Sequence, residues 1–494
     1  MDLIPKLVQT VLTLIKVRPT MSISSSPENE IDLSEILTPS VKDDKNESIA
    51  KKHVDLETTE VEDLAETLSL LNSIIETLES KFYPYIDLVD SEVLPLLSYP
   101  FSPKIRNKVA KILPNIMPII LQQEEKVARG KRYIQEIQKA IEKESENEIR
   151  LKLFSHFHDL LNNSGTILTR NEVNELFQII MLSFTNVEKA RIELLNKKAK
   201  KPSKKSPDDD SDDENLDDLI NDDIETLEET QSQISDVIGV LFKTHKDLSD
   251  DIIKVILSEV LPKYVNPQAS TFESRMAIYI ADDMIEFLGM EKLVNIWTDL
   301  FKLLVTMMDK EDHVLRQAAA YGGGVFAQYT TQNFDMYALD LLKGLKEAMK
   351  YKPKDEDDEE DWGLAHDNII ASIGKVIFYH HDCQIVKDNM SDLVENWIIN
   401  LPLKYDVLEA EKQHEWLSNM VLLKRELIPI KCLPHSFKAL VKIYKAKISN
   451  DVTNEKIEQI FNEVKNNQEL KTIVEGVYQS AENKVKKKLE KLIK

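Results

Sequence analysis

The stretch DKEDHVLRQAAAYGGGVFAQY, residues 309–329, decides how this chain folds. From Val314 onward its residues suit a helix, yet three consecutive glycines, Gly322 to Gly324, sit inside it. Each glycine in an exposed helix costs roughly 0.5–1 kcal/mol relative to alanine, so the run gives up about 2 kcal/mol. Either a phosphate or a closely pressed helix must want the missing side chains. A phosphate-cradling loop needs a strand before it, a helix after it and a lysine at fixed spacing. Here HVLRQAAAY, residues 313–321, is already helical, and no such lysine follows. Close packing is the better reading: Ala318, Ala319, Gly322 and Gly323 lack bulk and let an adjoining helix approach, with Arg316 bridging neighbouring units.

Composition extends this reading to the whole chain. At 494 residues it is too long for one compact core, so it divides into domains or forms a stacked repeat array. Only 11 glycines are present, too few for the turns of a sandwich, barrel or doubly wound sheet. An all-α chain is expected. In LSDDIIKVILSEVLPKYV, residues 248–265, the rows Ile252, Ile256, Val260 and Ile253, Leu257, Leu261 make a wide apolar stripe, which Pro262 is expected to end. The same helix–turn–helix cadence runs through residues 92–120 and again through 290–329.

Self-similarity points to repeats. Ile105–Arg106 returns 44 residues later as Ile149–Arg150, Arg275 and Arg316 lie 41 apart, and EVLP occurs at both Glu92–Pro95 and Glu259–Pro262. A period in the low-to-middle forties with two helices per unit is the HEAT or armadillo range, hence an α-α superhelix, a solenoid. The expected organisation is a first helix at 1–17, a Ser- and acid-rich linker at 18–60, repeats at 61–195, a basic-then-acidic insert loop without a core face at 196–224, repeats at 225–470, and a basic, solvated final helix at 471–494.

The formal net charge is −23, and the acids cluster. Between Asp208 and Glu225 stand eleven acids and no base, and all seven residues from Asp355 to Asp361 are acidic. Such a surface repels nucleic acid and attracts basic proteins; the plain alternative is a solvated loop. Asp208, Asp209, Asp210, Asp212, Asp213 and Glu214 are the acidic-loop candidates. The basic run KKAKKPSKK before them reads as a nuclear localisation signal or an internal counter-charge. Two cysteines, Cys383 and Cys432, supply neither a disulfide framework nor a zinc ribbon. The apolar N-terminus lacks the basic start of a signal peptide, and no apolar run spans a bilayer, so no membrane partner is expected. HHDC, residues 380–383, reads as a loop closing a helix. No catalytic constellation, metal site or cofactor is indicated, and the chain is not expected to be an enzyme.

DHVLRQAAAYGGGVFAQY resembles the HEAT helix of importin-β karyopherins, specifically the importin-five subgroup, where the pattern reads VRQAAAYGxGVxAQ. LIPKLVQTVLTLIKVRPT, residues 3–20, resembles a first helix of an interior repeat, and IRNKVAKILPNIMPIIL, residues 105–121, its VRxxAAxxMPxLL segment. IADDMIE (280–286) is similar to FDDVIE, ASIGKVI (371–377) to SAVGKI, and WIINLPL (397–403) to WLxxLPL, all in the family's order. Gly323 stands where the family usually has leucine.

The resemblance implies the C-terminal part of a HEAT-repeat arch whose second helices line the inner face and hold basic cargo, such as ribosomal proteins or histones. It implies release by Ran in its GTP state, passage by Phe–Gly nucleoporins, and shuttling between cytoplasm and nucleus through the nuclear pores. The family's main Ran surface lies on N-terminal repeats that this chain is expected to lack. Asp236, Asp282, Asp283, Glu286 and Asn368 fall on the second helices and are the cargo-facing candidates, with solvation of that face or ties between neighbouring helices as the alternative. A HEAT scaffold assembling a multiprotein complex, with no transport role, is the competing reading.

Overall fold

The computed structural model describes residues 3–16, 59–122, 127–200, 212–266 and 268–493. Among the described residues every regular element is helical. The chain divides into two units, Met1–His245 and Lys246–Lys494.

In the second unit the helices alternate between two layers. Trp297–Met308, Asp335–Ala348, Gln384–Ile399, Leu433–Ile443 and Gln468–Ser480 pack each on the next in one layer. Thr271–Asp283, His313–Tyr329, Glu359–His380, Val407–Leu423, Asp451–Asn466 and Asn483–Ile493 do so in the other. This is the paired-helix stack that the period predicts. In the first unit, Thr59–Leu78, Pro103–Leu121, Asn147–Ser164 and Asp212–Thr244 form the second-helix layer, with Val127–Lys143 and Arg170–Lys200 beside it.

Side chains chosen for capping start these helices. Ser102, Asp312, Asp406 and Asn450 each accept the backbone N–H three residues on, and Ser270 with Glu273 completes a reciprocal capping box. The core between layers is large and aromatic where the sequence allows. Trp297 stacks on Phe326 at 4.7 Å, Phe301 and Tyr337 close on the same ring at 4.9 and 5.0 Å, and the Trp297 indole donates to Thr330 Oγ1 at 3.1 Å.

The glycine run now has its explanation, because each glycine admits a different neighbour. A Cβ on Gly322 would stand 1.9 Å from Asp282 Oδ1 and 2.7 Å from Leu304 Cδ2. On Gly323 it would meet Met308 Cε at 2.3 Å and Leu341 Cδ1 at 2.9 Å. On Gly324 it would meet Ser372 Oγ at 2.4 Å and Lys375 Cδ at 2.9 Å. Ala319 is buried beside them, as is Ala318. Arg316 is buried too: its guanidinium lies over the Tyr351 ring at 4.0 Å and donates to the carbonyls of Lys310 and Glu311 at 2.7 and 3.4 Å and to His313. Through Tyr351 it touches the connection between Asp335–Ala348 and Glu359–His380.

Three expectations need correction. Pro262 does not end its helix: residues 256–260 form a π turn, after which the proline sits in the first turn of Leu261–Tyr264. Widening the helix ahead of a proline accommodates the N–H it lacks. The insert at 196–224 is not wholly a loop, since Arg170–Lys200 and Asp212–Thr244 are helical on both sides of residues 201–211, which lie outside the described residues. Ile224 and Leu227 are buried and Ile220 half-buried, so an apolar stripe at i, i+4, i+7 carries the acidic stretch as a helix. Third, residues 471–494 are not one solvated helix. Gln468–Ser480 and Asn483–Ile493 both join the stack, the last through buried Val485, Leu489 and Leu492, and its lysines form the outer side. Of the linker expected at 18–60, all but Thr59 and Glu60 lies outside the described residues; those two open the helix Thr59–Leu78.

Candidate functional site

The acids singled out from sequence stand on second helices, and local irregularity positions three of them. Asp282 and Asp283 end Thr271–Asp283, and the chain continues as a π turn, Met284–Leu288, that carries Glu286. Asp282 is only 6% exposed, and its Oδ1 has no hydrogen-bond partner. Burial, reinforced by the charges of Asp283 and Glu286, holds its carboxyl well above the usual range, while Lys375 opposes the shift. Glu286 accepts a hydrogen bond from the Tyr321 hydroxyl at 2.8 Å.

The sequence reading overlooked the partners that complete this cluster. Lys375 is 2% exposed; its ammonium lies 2.8 Å from Glu409 Oε1 and 4.8 Å from the centre of the Tyr321 ring. Glu409 is buried as well, with Oε2 unpartnered. Ser372 donates to the carbonyl of Ala320 at 2.6 Å, across the gap that Gly324 leaves. Asp282, Glu286, Tyr321, Lys375 and Glu409 thus link four consecutive second helices through polar groups. A lysine within ASIGKVI, where its helical neighbours are apolar, was the available signal. Nothing in the cluster pairs a nucleophile with a base.

Asn368 is 1% exposed, and its amide donates to Asp406 Oδ2 and to the carbonyl of Leu364, each at 3.0 Å. It ties two second helices, as does Arg275 to Asp312 at 3.1 and 2.6 Å. Asp282 and Asn368 therefore do not present free side chains to a partner; Asp283 and Glu286 are half-buried. Of the acidic-loop candidates, Asp212, Asp213 and Glu214 lie in the helix Asp212–Thr244, while Asp208, Asp209 and Asp210 fall outside the described residues. In the run 355–361 the last three acids open the helix Glu359–His380, where the helix dipole favours them. His380 ends that helix and stacks on Phe334 at 3.5 Å, and Cys383 precedes the next, so HHDC is the connection between two helices.

No protein-family model matches the chain. A probable importin-5 homolog from Dictyostelium discoideum is 19% identical over 361 residues, covering 70% of this chain and 32% of its own length. The probable importin subunit beta-4 of Schizosaccharomyces pombe is 26% identical over 160 residues, 32% of this chain and 14% of that protein. The crystal structure of the karyopherin Kap121p bound to the SUMO protease Ulp1p superposes with a TM-score of 0.67 over 99% of this chain and 42% of that one, at 15% identity. The chain has the paired-helix fold of this karyopherin.

It spans less than half the length of these relatives. Asp236 belongs to the first unit and is the exposed member of the candidate set, near His158 and accepting from Gln233 Nε2 at 3.1 Å. Although the side chain reaches solvent, its carboxyl end is partly desolvated, which pushes its pKa up to about 6. A carboxyl raised on folding favours the native state only while protonated, so its contribution declines as pH climbs from about 4, the ordinary aspartate value, to about 6. Asp236→Asn should therefore match the parent protein near pH 3.5 and melt at a higher temperature at pH 7. Equal melting temperatures at both pH values would show that the carboxylate is fully hydrated.

Proposed function

We propose that this chain is the cargo-binding, C-terminal arm of a nuclear transport receptor, holding basic proteins on the face formed by its second helices. The observation that carries this reading is the superposition of 99% of the chain on Kap121p. Kap121p has been solved bound to Ulp1p, to Nup53p, to Pho4p and to RanGTP. The net charge of −23 supports a basic cargo, as do Asp283 and Glu286 at the second-helix surface. In this reading the full receptor shuttles between cytoplasm and nucleus, meets Phe–Gly nucleoporins and releases cargo to Ran in its GTP state. A stack joined by nearest-neighbour contacts flexes at low cost, which suits capture and release.

The test is fluorescence anisotropy of a labelled basic signal peptide with the full chain, over a salt series and with GTP-loaded Ran. Binding should weaken as salt rises, because the attraction is between exposed charges, and Ran should compete. A chain that ignores basic peptides and instead co-purifies in a fixed multi-subunit complex is a scaffold.

A further inference from the structure

Phe378 and Tyr379 stand near the end of Glu359–His380, and Trp416 lies midway along Val407–Leu423, the next second helix. The Phe378 and Trp416 rings are parallel within 3° and 4.4 Å apart, and Tyr379 meets them edge-on at 5.1 and 5.9 Å. Clusters of this geometry are usually internal, as Trp297, Phe301, Phe326 and Tyr337 are here. This one is open: Phe378 is 49% and Tyr379 39% exposed, and Trp416 is half-buried. Among the described residues, neither the Tyr379 hydroxyl nor the Trp416 indole N–H has a hydrogen-bond partner. The same holds for the hydroxyl of nearby Tyr329.

The field around the rings is negative. Glu409 acts on the Tyr379 hydroxyl and Glu286 on that of Tyr329, both raising the phenol pKa beyond what burial does. Glu409 is itself compensated, since Lys375 is bonded to it and Lys412 lies 3.5 Å from the same carboxylate. Open ring faces near the Glu286 carboxylate, which accepts from the Tyr321 hydroxyl, suit a cation on an alkyl stem, which the rings attract through their quadrupole and the stem covers. A purely apolar side chain would leave the Tyr379 and Trp416 polar atoms and the negative field unused.

We infer that Phe378, Tyr379 and Trp416 form a cradle for an arginine or lysine side chain of an extended basic segment on a partner protein. The guanidinium or ammonium lies on the ring faces, and the Glu286 carboxylate sets the sign of the ligand. This rests on the proposed function and adds to it the residues that grip the cargo.

The test measures anisotropy of three labelled peptides of one length against the full chain. One is arginine- and lysine-rich, one carries glutamine at the basic positions, and one carries leucine there. Trp416→Leu and Phe378→Leu keep apolar bulk and remove the ring, and Trp416→Phe restores a ring. With the melting temperature unchanged, each leucine variant should bind the basic peptide about five- to twenty-fold more weakly. Trp416→Phe should stay within about threefold of the parent protein, because a phenyl face still attracts the cation. Should the leucine variants lose their folding transition, Trp416→Phe against Phe378→Tyr, with the three-peptide comparison, still decides. Equal affinity of the leucine peptide overturns the cradle in favour of an apolar groove. Undiminished binding of the basic peptide by both leucine variants overturns it while leaving the transport reading intact. A parent protein that binds no basic peptide overturns both.

Discussion

Replacing Lys375 with methionine destabilises the chain by about 3–5 kcal/mol, the cost of breaking a buried ion pair from one side. The lysine is nearly inaccessible and its partner Glu409 no less so, so the variant leaves a carboxylate in a dry site. One oxygen of that carboxylate already lacks a hydrogen bond. Lys412, at 3.5 Å, offsets part of the loss and places the result toward the lower end. The double variant Lys375→Met/Glu409→Leu should recover much of the stability, because removing both charges also removes the desolvation cost. Urea unfolding of the full chain, following the transition of the second unit, measures both. A single variant within about 1 kcal/mol of the parent would mean that water reaches the pair.

The same Gly→Ala substitution should have opposite signs at two helical positions. At Gly476, exposed in Gln468–Ser480, an added Cβ meets nothing within 4 Å. Lower backbone freedom in the unfolded chain then stabilises by about 0.8–1 kcal/mol. At Gly324 the Cβ falls 2.4 Å from Ser372 Oγ and 3.1 Å from Ser372 Cβ, so a short, buried side chain must give way. Moving it also breaks its hydrogen bond to the Ala320 carbonyl. Overpacking of about 1–3 kcal/mol plus about 1 kcal/mol for the lost bond outweighs the propensity gain, for a net loss of about 2 kcal/mol. Denaturation midpoints of the two variants are the measurement, and a Gly324→Ala protein as stable as Gly476→Ala would sink the close-packing explanation of the run.

The fold was legible because helix chemistry is local. Small residues from Ala318 to Gly324, apolar stripes and caps such as Asp312 and Asn450 all lie within one or two turns of one another, so one sequence displays them. The acidic stretch from Asp212 was misread because charge density masked Ile220, Ile224 and Leu227, whose spacing was already helical. The site was less legible for a different reason. Lying on a second helix does not say whether a side chain points to a neighbour or outward. Asp282 sinks into the gap left by Gly322, forty residues away, and Asn368 reaches Asp406, thirty-eight away. Those partners become visible only when consecutive pairs are stacked. Phe378 and Trp416 likewise look like ordinary core residues in sequence, and only their exposure sets them apart.

Asp312 and Asp406 each hold the first turn of their own helix and a side chain of the helix before it, Asp406 with one oxygen for each and Asp312 with Oδ1 shared between the Leu315 N–H and Arg275. A start signal and a joint share one carboxylate. Fraying at the beginning of either helix therefore frees the grip on its predecessor, and loss of the predecessor removes a brace from the start of the next. Amide hydrogens in adjoining turns on either side of such a joint would exchange with solvent together, making the element that opens a pair of repeats and not a lone helix. Strain applied at one place in the second unit would then travel along the row of carboxylates, shared out in small steps between neighbours.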